Sequence, residues 1–186
     1  MTRLRVLHVC ASGDDLAWTL SRHERALGVV SDVVRLFGDD ERVDIDLDTE
    51  GRAPRDIAAR TQAGLRAALD YDVLHFHDRT LFSWEDLDGR APPPLLDVET
   101  AKALGRRIVF TLSDADALER VGAGLPLADS IFYLDPRLGP RLDQGVLLPQ
   151  EGGDLAWTAE VMIRAYAGAR LDAEDFRRPR DDHDER

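Results

Sequence analysis

The stretch Tyr71-Asp-Val-Leu-His-Phe-His-Asp-Arg-Thr-Leu81 decides the fold that the sequence predicts. Val73, Leu74 and Phe76 favour a β-strand, because the run is too short for a helix and is bounded by charged residues. We therefore predict a buried strand that ends in a polar loop.

Two histidines lie at the end of this predicted strand. His75 and His77 are two positions apart, so on a strand both rings point to the same face of the sheet. In an open α/β sheet, ligands bind just past the carboxyl ends of the strands. We therefore expect functional residues at and directly after His77.

Strands and helices alternate along the whole chain. We predict strands at residues 4–11, 29–37, 71–77, 107–112, 130–134 and 146–148, and helices at residues 15–27, 54–69, 97–105, 116–121 and 155–170. Asp97 is expected to cap the third helix. The alternation indicates an α/β fold: a single Rossmann-like domain with a mostly parallel sheet, helices on both faces and a C-terminal helix.

Three segments follow from this pattern. We assign residues 1–150 to the Rossmann-like domain and residues 151–171 to a C-terminal helix that packs on it. Residues 172–186 are rich in charge and are predicted to form a flexible tail.

Composition excludes several classes of partner. The chain has 186 residues and a net charge of −12, from 24 basic and 36 acidic residues. Nucleic acid and anionic lipid surfaces both require a basic patch, so neither is expected as a partner. Cys10 is the single cysteine, and no apolar run is long enough for a signal peptide or a membrane span. We expect a cytoplasmic protein.

The first predicted strand is not followed by a dinucleotide-binding fingerprint. That fingerprint, Gly-x-Gly-x-x-Gly, lets the backbone approach a pyrophosphate. Here the sequence is Cys10-Ala-Ser-Gly-Asp-Asp-Leu16, with one glycine and two acidic residues. Asp14 and Asp15 would repel a phosphate at the start of the helix, so NAD and FAD are not expected.

The histidines allow two interpretations. His75, His77 and Asp78, with His8 if it lies on a neighbouring strand, could supply nitrogen and oxygen ligands to a metal ion. A buried or hydrogen-bonded pair of histidines explains the same spacing. The second interpretation is favoured, so we assign no metal and no other cofactor.

The polar residues near strand ends also have two interpretations. Asp78, Asp114 and Asp116 could act as general bases, but aspartates in such turns are more often helix caps or solvated residues. Ser113 lies outside a Gly-x-Ser-x-Gly nucleophile elbow. In the loop 81–94, Trp84 could stack on a sugar or pack under the loop.

Several segments together resemble a known family. Their order and spacing over about residues 3–150 are similar to those of the N-terminal, acceptor-side domain of B-fold (GT-B) glycosyltransferases of the retaining family 4 kind. The segments are Arg5-Val-Leu-His-Val-Cys10, Arg25-Ala-Leu-Gly-Val-Val-Ser-Asp-Val-Val34, Tyr71-Asp-Val-Leu-His-Phe-His77, Leu104-Gly-Arg-Arg-Ile-Val-Phe-Thr-Leu-Ser-Asp-Ala-Asp116, Ala128-Asp-Ser-Ile-Phe-Tyr-Leu-Asp-Pro-Arg-Leu138 and Gly145-Val-Leu-Leu-Pro149.

The resemblance implies a set of site residues, and this sequence departs from the family in two respects. Enzymes of this family have a second Rossmann-like domain that binds the nucleotide sugar through paired glutamates, and this sequence does not match it. The family's usual histidine after the fourth strand is replaced by Ser113, with Asp114 at the usual glycine, while Asp116 matches a family aspartate. The implied catalytic residues are Asp78, Ser113, Asp114 and Asp116, and the implied substrate-binding residues are Gly13, Asp14, His77, Arg79 and Trp84.

Three functions remain open at this point. The chain could be the acceptor-side half of a split glycosyltransferase, acting on a sugar or small-molecule acceptor with a separate nucleotide-sugar-binding chain and inactive alone. It could instead be a non-catalytic binding or scaffold protein that supports a partner enzyme. The third alternative is a small metal-dependent enzyme that uses the His-x-His strand end. A half-fold without its second domain should expose an apolar patch, so we expect a homo-oligomer or a complex with a partner protein.

Overall fold

The computed structural model of the chain describes residues 3–10, 15–36, 43–47, 54–82, 95–149 and 154–177. The described strands form a single sheet in the order β3-β2-β1-β4-β5-β6-β7. The strands are β1 Arg5–Cys10, β2 Val30–Arg35, β3 Ile45–Asp46, β4 Val73–His77, β5 Arg107–Leu112, β6 Ser130–Tyr133 and β7 Val146–Leu147. Each neighbouring pair is parallel, so the described sheet is parallel throughout.

The helices confirm the predicted α/β class. They are α1 Asp15–Ala26, α2 Pro54–Ala68, α3 Leu96–Ala103, α4 Ala115–Val121 and α5 Leu155–Tyr166. Within the described residues there are also three 3₁₀ turns, at Gly122–Leu127, Pro136–Arg141 and Ala173–Phe176. The single Rossmann-like α/β domain expected from the sequence is therefore confirmed, with a C-terminal helix after the last strand.

The strand order places a topological switch point between β1 and β4. From β1 the chain builds outward to β2 and β3, and it then returns to β4 and builds outward in the other direction. Where the direction of building reverses, the connections leave on opposite faces and a crevice opens outside the carboxyl ends of the two central strands. The stretch around His77 ends at this crevice.

Both faces of the sheet are covered by helices. Leu7, Phe76 and Phe110 lie on one face in a core with side chains of α2, α3 and α4. Val6 and Val109 lie on the opposite face in a core with side chains of α1 and α5. Adjacent strand residues alternate between the faces because the side-chain period of a strand is two.

The position of Asp97 corrects the sequence-based expectation. It does not cap α3 but lies in the first turn, fully buried, and its carboxylate accepts hydrogen bonds from the backbone N–H groups of Leu81 and Val98. The N-cap is Leu95, which has a left-handed backbone (φ 81°) and makes no side-chain capping bond. The backbone N–H of Leu81 is buried and needs a hydrogen-bond acceptor. The Asp97 carboxylate lies in the core because it supplies that acceptor.

Helix α5 is shorter than the predicted 155–170. Asp154 caps its start by accepting from the N–H groups of Ala156 and Trp157. Its end follows from Gly168, whose φ of +99° is a left-handed conformation that favours glycine. A Cβ at Gly168 would lie 2.5 Å from Nη2 of Arg107, so a larger residue here would also displace that guanidinium.

The start of the predicted tail is held against the domain. Asp172 forms a capping box with Asp175 at the turn Ala173–Phe176. The ring of Phe176 is buried and meets the ring of Phe132 edge-on, with centroids 5.7 Å apart. Residues 178–186 lie outside the described residues. Among the described helices, none combines the length and the apolar character that crossing a membrane requires.

We predict that Asp97 makes stability fall as pH rises between about 4 and 6. Burial raises the Asp97 pKa from 3.8 to about 6, although backbone N–H groups oppose the rise. The native state therefore holds this proton more tightly than the unfolded chain. The free energy of unfolding should fall by up to about 3 kcal/mol across this window from this residue alone.

The measurement is urea unfolding from pH 4 to pH 7 for the wild type and Asp97→Asn. The asparagine does not titrate, so the difference between the two curves isolates this residue. Asp143→Asn, at an exposed position, is the control. Parallel pH profiles for the wild type and Asp97→Asn would show that the buried carboxyl is not linked to folding.

Candidate functional site

The site lies at the carboxyl edge of the sheet, beside the switch point. Asp78 directly follows β4, and Ser113 directly follows β5. These strands are neighbours, with His77 paired in register with Thr111, so the residues that follow them meet. The backbone N–H of Asp78 continues the ladder by donating to the carbonyl of Thr111 at 3.0 Å.

Asp78 and Ser113 form a clamp between the two strand ends. One carboxylate oxygen of Asp78 accepts from the backbone N–H of Ser113 at 2.7 Å, and the other accepts from the Ser113 hydroxyl at 2.7 Å. Asp78 has a left-handed backbone (φ 60°), which is uncommon for a residue with a side chain. Such conformations cluster at functional sites, where the surrounding contacts hold them in place.

The other two aspartates predicted to be catalytic lie on α4. Asp114 is its N-cap, and its carboxylate accepts from the backbone N–H of Ala117 at 2.7 Å. Asp116 is exposed in the first turn, where a negative charge is favourable at the helix start. Both aspartates therefore occupy positions where acidic residues stabilise the start of a helix.

The residues predicted to bind substrate differ in where they lie. Gly13, Asp14 and Trp84 lie outside the described residues. Arg79 follows Asp78 and is partly buried. His77 is only 3% exposed, so the structure places its ring in the interior rather than at the surface of the crevice.

Below this edge, three histidine rings cluster under α1 and α5. His75 and His77 point to the same face, as predicted, and their rings stack with centroids 4.2 Å apart. His8 on β1 is in register with His75 and brings its ring to 5.0 Å from His75 and 5.2 Å from His77. His8 and His75 are fully buried.

Glu24 on α1 anchors a hydrogen-bond network around these rings. It is fully buried, and its carboxylate lies 2.9 Å from Nε2 of His8. The hydroxyls of Ser31 and Tyr166 donate to it at 2.7 and 3.0 Å. Burial alone would raise the Glu24 pKa, but the facing His8 and the three hydrogen bonds outweigh it and leave the pKa lowered.

The direction of each hydrogen bond follows from this carboxylate. A carboxylate only accepts, so Nε2 of His8 and the hydroxyl of Tyr166 each donate a hydrogen bond to Glu24. The Tyr166 oxygen then accepts from Nδ1 of His75 at 2.8 Å, which leaves Nε2 of His75 to accept from the Thr111 hydroxyl at 2.8 Å.

The charges of the network agree with these directions. Burial, with His77 and His8 nearby, lowers the His75 pKa well below its usual value, so that ring is neutral. Burial and the adjacent Glu24 raise the Tyr166 pKa well above its usual value, so the hydroxyl keeps its proton. The network therefore concentrates its negative charge on one carboxylate.

Comparison with known proteins gives similarity in structure only. No protein-family model matches the chain, and no curated protein matches it. A sucrose-phosphate synthase from Thermosynechococcus elongatus aligns with a TM-score of 0.59 at 15% identity, over 88% of this chain and 97% of that chain. MurG from Acinetobacter baumannii aligns with a TM-score of 0.55 at 15% identity, over 77% of this chain and 45% of that chain.

These neighbours have folds of the GT-B glycosyltransferase type. The chain has the fold of one GT-B-type domain. It spans a little under half of the MurG chain, as one domain of a two-domain fold does. The structural similarity establishes the fold. At 15% identity it establishes neither the activity nor the substrate of this chain.

The sequence patterns did not predict Glu24 or Tyr166, the two residues that anchor the buried network of this domain. Glu24 lies four residues after Leu20 on the apolar face of α1, and Tyr166 lies four residues after Met162 on α5. A charged residue in the apolar stripe of a helix is a signal for a buried, paired group. That spacing could have identified Glu24 but not its partners.

We predict that Tyr166→Phe destabilises the domain by about 1–3 kcal/mol. The change removes the acceptor for Nδ1 of His75 and one donor to Glu24, and it leaves both groups buried without that partner. Chemical denaturation of both proteins at pH 7 measures the difference.

Tyr133→Phe is the matched control, because the Tyr133 hydroxyl makes no hydrogen bond within the described residues. It should change the free energy of unfolding by about 0.5 kcal/mol or less. Equal losses in the two variants would contradict the network as an anchor of the fold.

Proposed function

We propose that this chain is the acceptor-binding half of a split glycosyltransferase. A separate chain would bind the nucleotide sugar and close over the carboxyl edge of the sheet. Two findings support the proposal: the GT-B-type fold of the domain and the sequence resemblance to the acceptor-side half of such enzymes. A complex of the two chains would be the active species.

The observation that carries the proposal is the Asp78–Ser113 clamp beside the switch point. Ligands of open α/β sheets bind outside the carboxyl ends of the strands at this point. The clamp fixes the two residues that follow β4 and β5, in one case with a left-handed backbone. A rigid, polar strand edge of this kind suits the recognition of acceptor hydroxyl groups.

The clamp also defines what this half would contribute to the reaction. Both carboxylate oxygens of Asp78 accept hydrogen bonds from Ser113, so Asp78 is a positioning residue rather than a general base. In the transfer, the acceptor oxygen bonds to the anomeric carbon and the bond from that carbon to the leaving phosphate oxygen breaks. The acceptor proton would pass to the phosphate of the nucleotide, which the partner chain holds.

The charge of the chain restricts the acceptor. With a net charge of −12, the protein repels polyanions at long range. We therefore expect a neutral or cationic acceptor, such as a sugar or another small molecule with hydroxyl groups.

A second candidate is a non-catalytic domain that supports a partner enzyme. It is favoured by the structural roles of the residues predicted to be catalytic. Asp78 and Ser113 bind each other, and Asp114 caps α4. In this case the domain would bind a partner protein, or a second copy of itself, without taking part in sugar transfer.

Affinity capture of the tagged chain from its native host separates the two candidates. A stoichiometric partner with a nucleotide-sugar-binding domain supports the split enzyme, provided that the purified complex transfers sugar. A partner complex without transfer activity, or recovery of the chain as a homo-oligomer alone, supports the non-catalytic domain.

For the active complex, we predict that Asp78→Asn raises the KM for the acceptor roughly tenfold. The amide group presents an N–H to one of the two Ser113 donors, so the strand edge loses part of its clamp, at about 1–2 kcal/mol. Initial rates at varied acceptor concentration measure the effect. The exposed Asp143→Asn, placed before β7, should leave KM within about twofold. An unchanged KM in Asp78→Asn would show that the Asp78–Ser113 clamp has no role in acceptor binding.

A further inference from the structure

Three histidine side chains lie next to one another in the core of the domain. His8, His75 and His77 come from two adjacent strands, and one ring nitrogen from each lies within 4.8 Å of the others. Side chains of this polarity are uncommon in a core, and here three lie side by side. Nδ1 of His8 and Nε2 of His77 already face each other at 3.0 Å.

We propose that His8, His75 and His77 bind one divalent transition-metal ion of the zinc class. Imidazole nitrogen is a favoured ligand of Zn²⁺, Cu²⁺, Ni²⁺ and Fe²⁺, and three histidines are a sufficient set of protein ligands for zinc. This departs from the sequence-based assignment of a histidine pair without metal. The structure adds His8 to the pair, in register on the neighbouring strand.

The outer contacts of two of these rings are those that metal-binding histidines need. A histidine that binds a metal through one nitrogen donates its other N–H to a carboxylate, carbonyl or hydroxyl, which fixes the tautomer. Nε2 of His8 donates to Glu24, so Nδ1 is left to face His77. Nδ1 of His75 contacts the hydroxyl of Tyr166, which in turn donates to Glu24.

The distance between His8 and His77 fits a metal after a small adjustment. Two nitrogens bound to one tetrahedral zinc at about 2.0–2.1 Å lie about 3.3 Å apart, so the 3.0 Å between His8 and His77 must widen by about 0.3 Å. The metal takes the place of the proton between these two nitrogens, and His77 stays neutral by carrying its proton on Nδ1 instead. One nitrogen of His75 must exchange a hydrogen bond for the metal, a loss of about 1 kcal/mol that metal binding greatly exceeds.

Charge is the second, independent reason. Glu24 is a fully buried carboxylate, and in the described part of the chain its only ion-pair partner is His8. A positive charge nearby stabilises a buried carboxylate further, beyond what its hydrogen bonds provide. A divalent cation on the far nitrogen of His8 supplies that charge through the ring while all three histidines remain neutral. The ion would tie together β1 and β4, the two strands of the switch point.

The test uses the full chain without a polyhistidine tag, stripped of metal by a chelator. Zn²⁺ is titrated by calorimetry in buffers of different ionisation enthalpy, and Co²⁺ is titrated in parallel by visible absorption. We expect one equivalent of each ion, a higher melting temperature and a Co²⁺ spectrum of low coordination number with nitrogen ligands. Absence of a stoichiometric site, or a Co²⁺ spectrum like that of the aqueous ion, overturns the proposal.

Variants locate the site. His8→Asn and His77→Asn should each weaken Zn²⁺ binding by about 100-fold or more, and Glu24→Gln by about 10-fold to 100-fold as a positioning residue. His23→Asn is the matched control, since His23 lies outside the cluster and should leave the affinity unchanged. Binding that survives in His8→Asn and His77→Asn places the ion elsewhere and overturns the assignment.

Misfolding of the histidine variants does not remove the test, because the Co²⁺ spectrum of the wild type decides it alone. The result is also independent of glycosyl transfer, since it is read from the isolated chain without acceptor or nucleotide sugar.

Discussion

The structure depends on a buried negative charge. A carboxylate without access to water is tolerated only where each oxygen has a partner, and Glu24 meets this condition inside the domain. Its partners are His8 on β1, Ser31 on β2 and Tyr166 on α5. Because each partner belongs to a different element, pairing this one group fixes α1 and α5 over the centre of the sheet.

The same network reaches the strands that carry the site. From Tyr166 it passes to His75 on β4 and to Thr111 on β5. Asp78 and Ser113 follow these two strands and bind each other at the edge. The strand ends at the crevice are therefore held from below by the buried network and from above by the clamp. This rigidity is what a binding edge at a switch point requires, since ordering it on binding would cost affinity.

Polar residues at the carboxyl edge of the sheet hold the backbone of the strand ends and of α4 in place. Asp78 binds Ser113, and Asp114 caps the start of α4. In a two-domain transferase, one half can supply the acceptor while the other supplies the activated sugar. The fold agrees with such a division of labour, although the same fold serves proteins with different activities.

Local patterns in the sequence determined much of this architecture. The strand predicted at residues 107–112 is β5, Arg107–Leu112, and the spacing of His75 and His77 was enough to place both rings on one face. These results follow from side-chain periods, which neighbours along the chain impose. The tertiary structure alone decided the pairing of Glu24 with Tyr166, 142 residues away, and the alignment of His8 with His75. Such contacts depend on strand order and register, which no local period encodes.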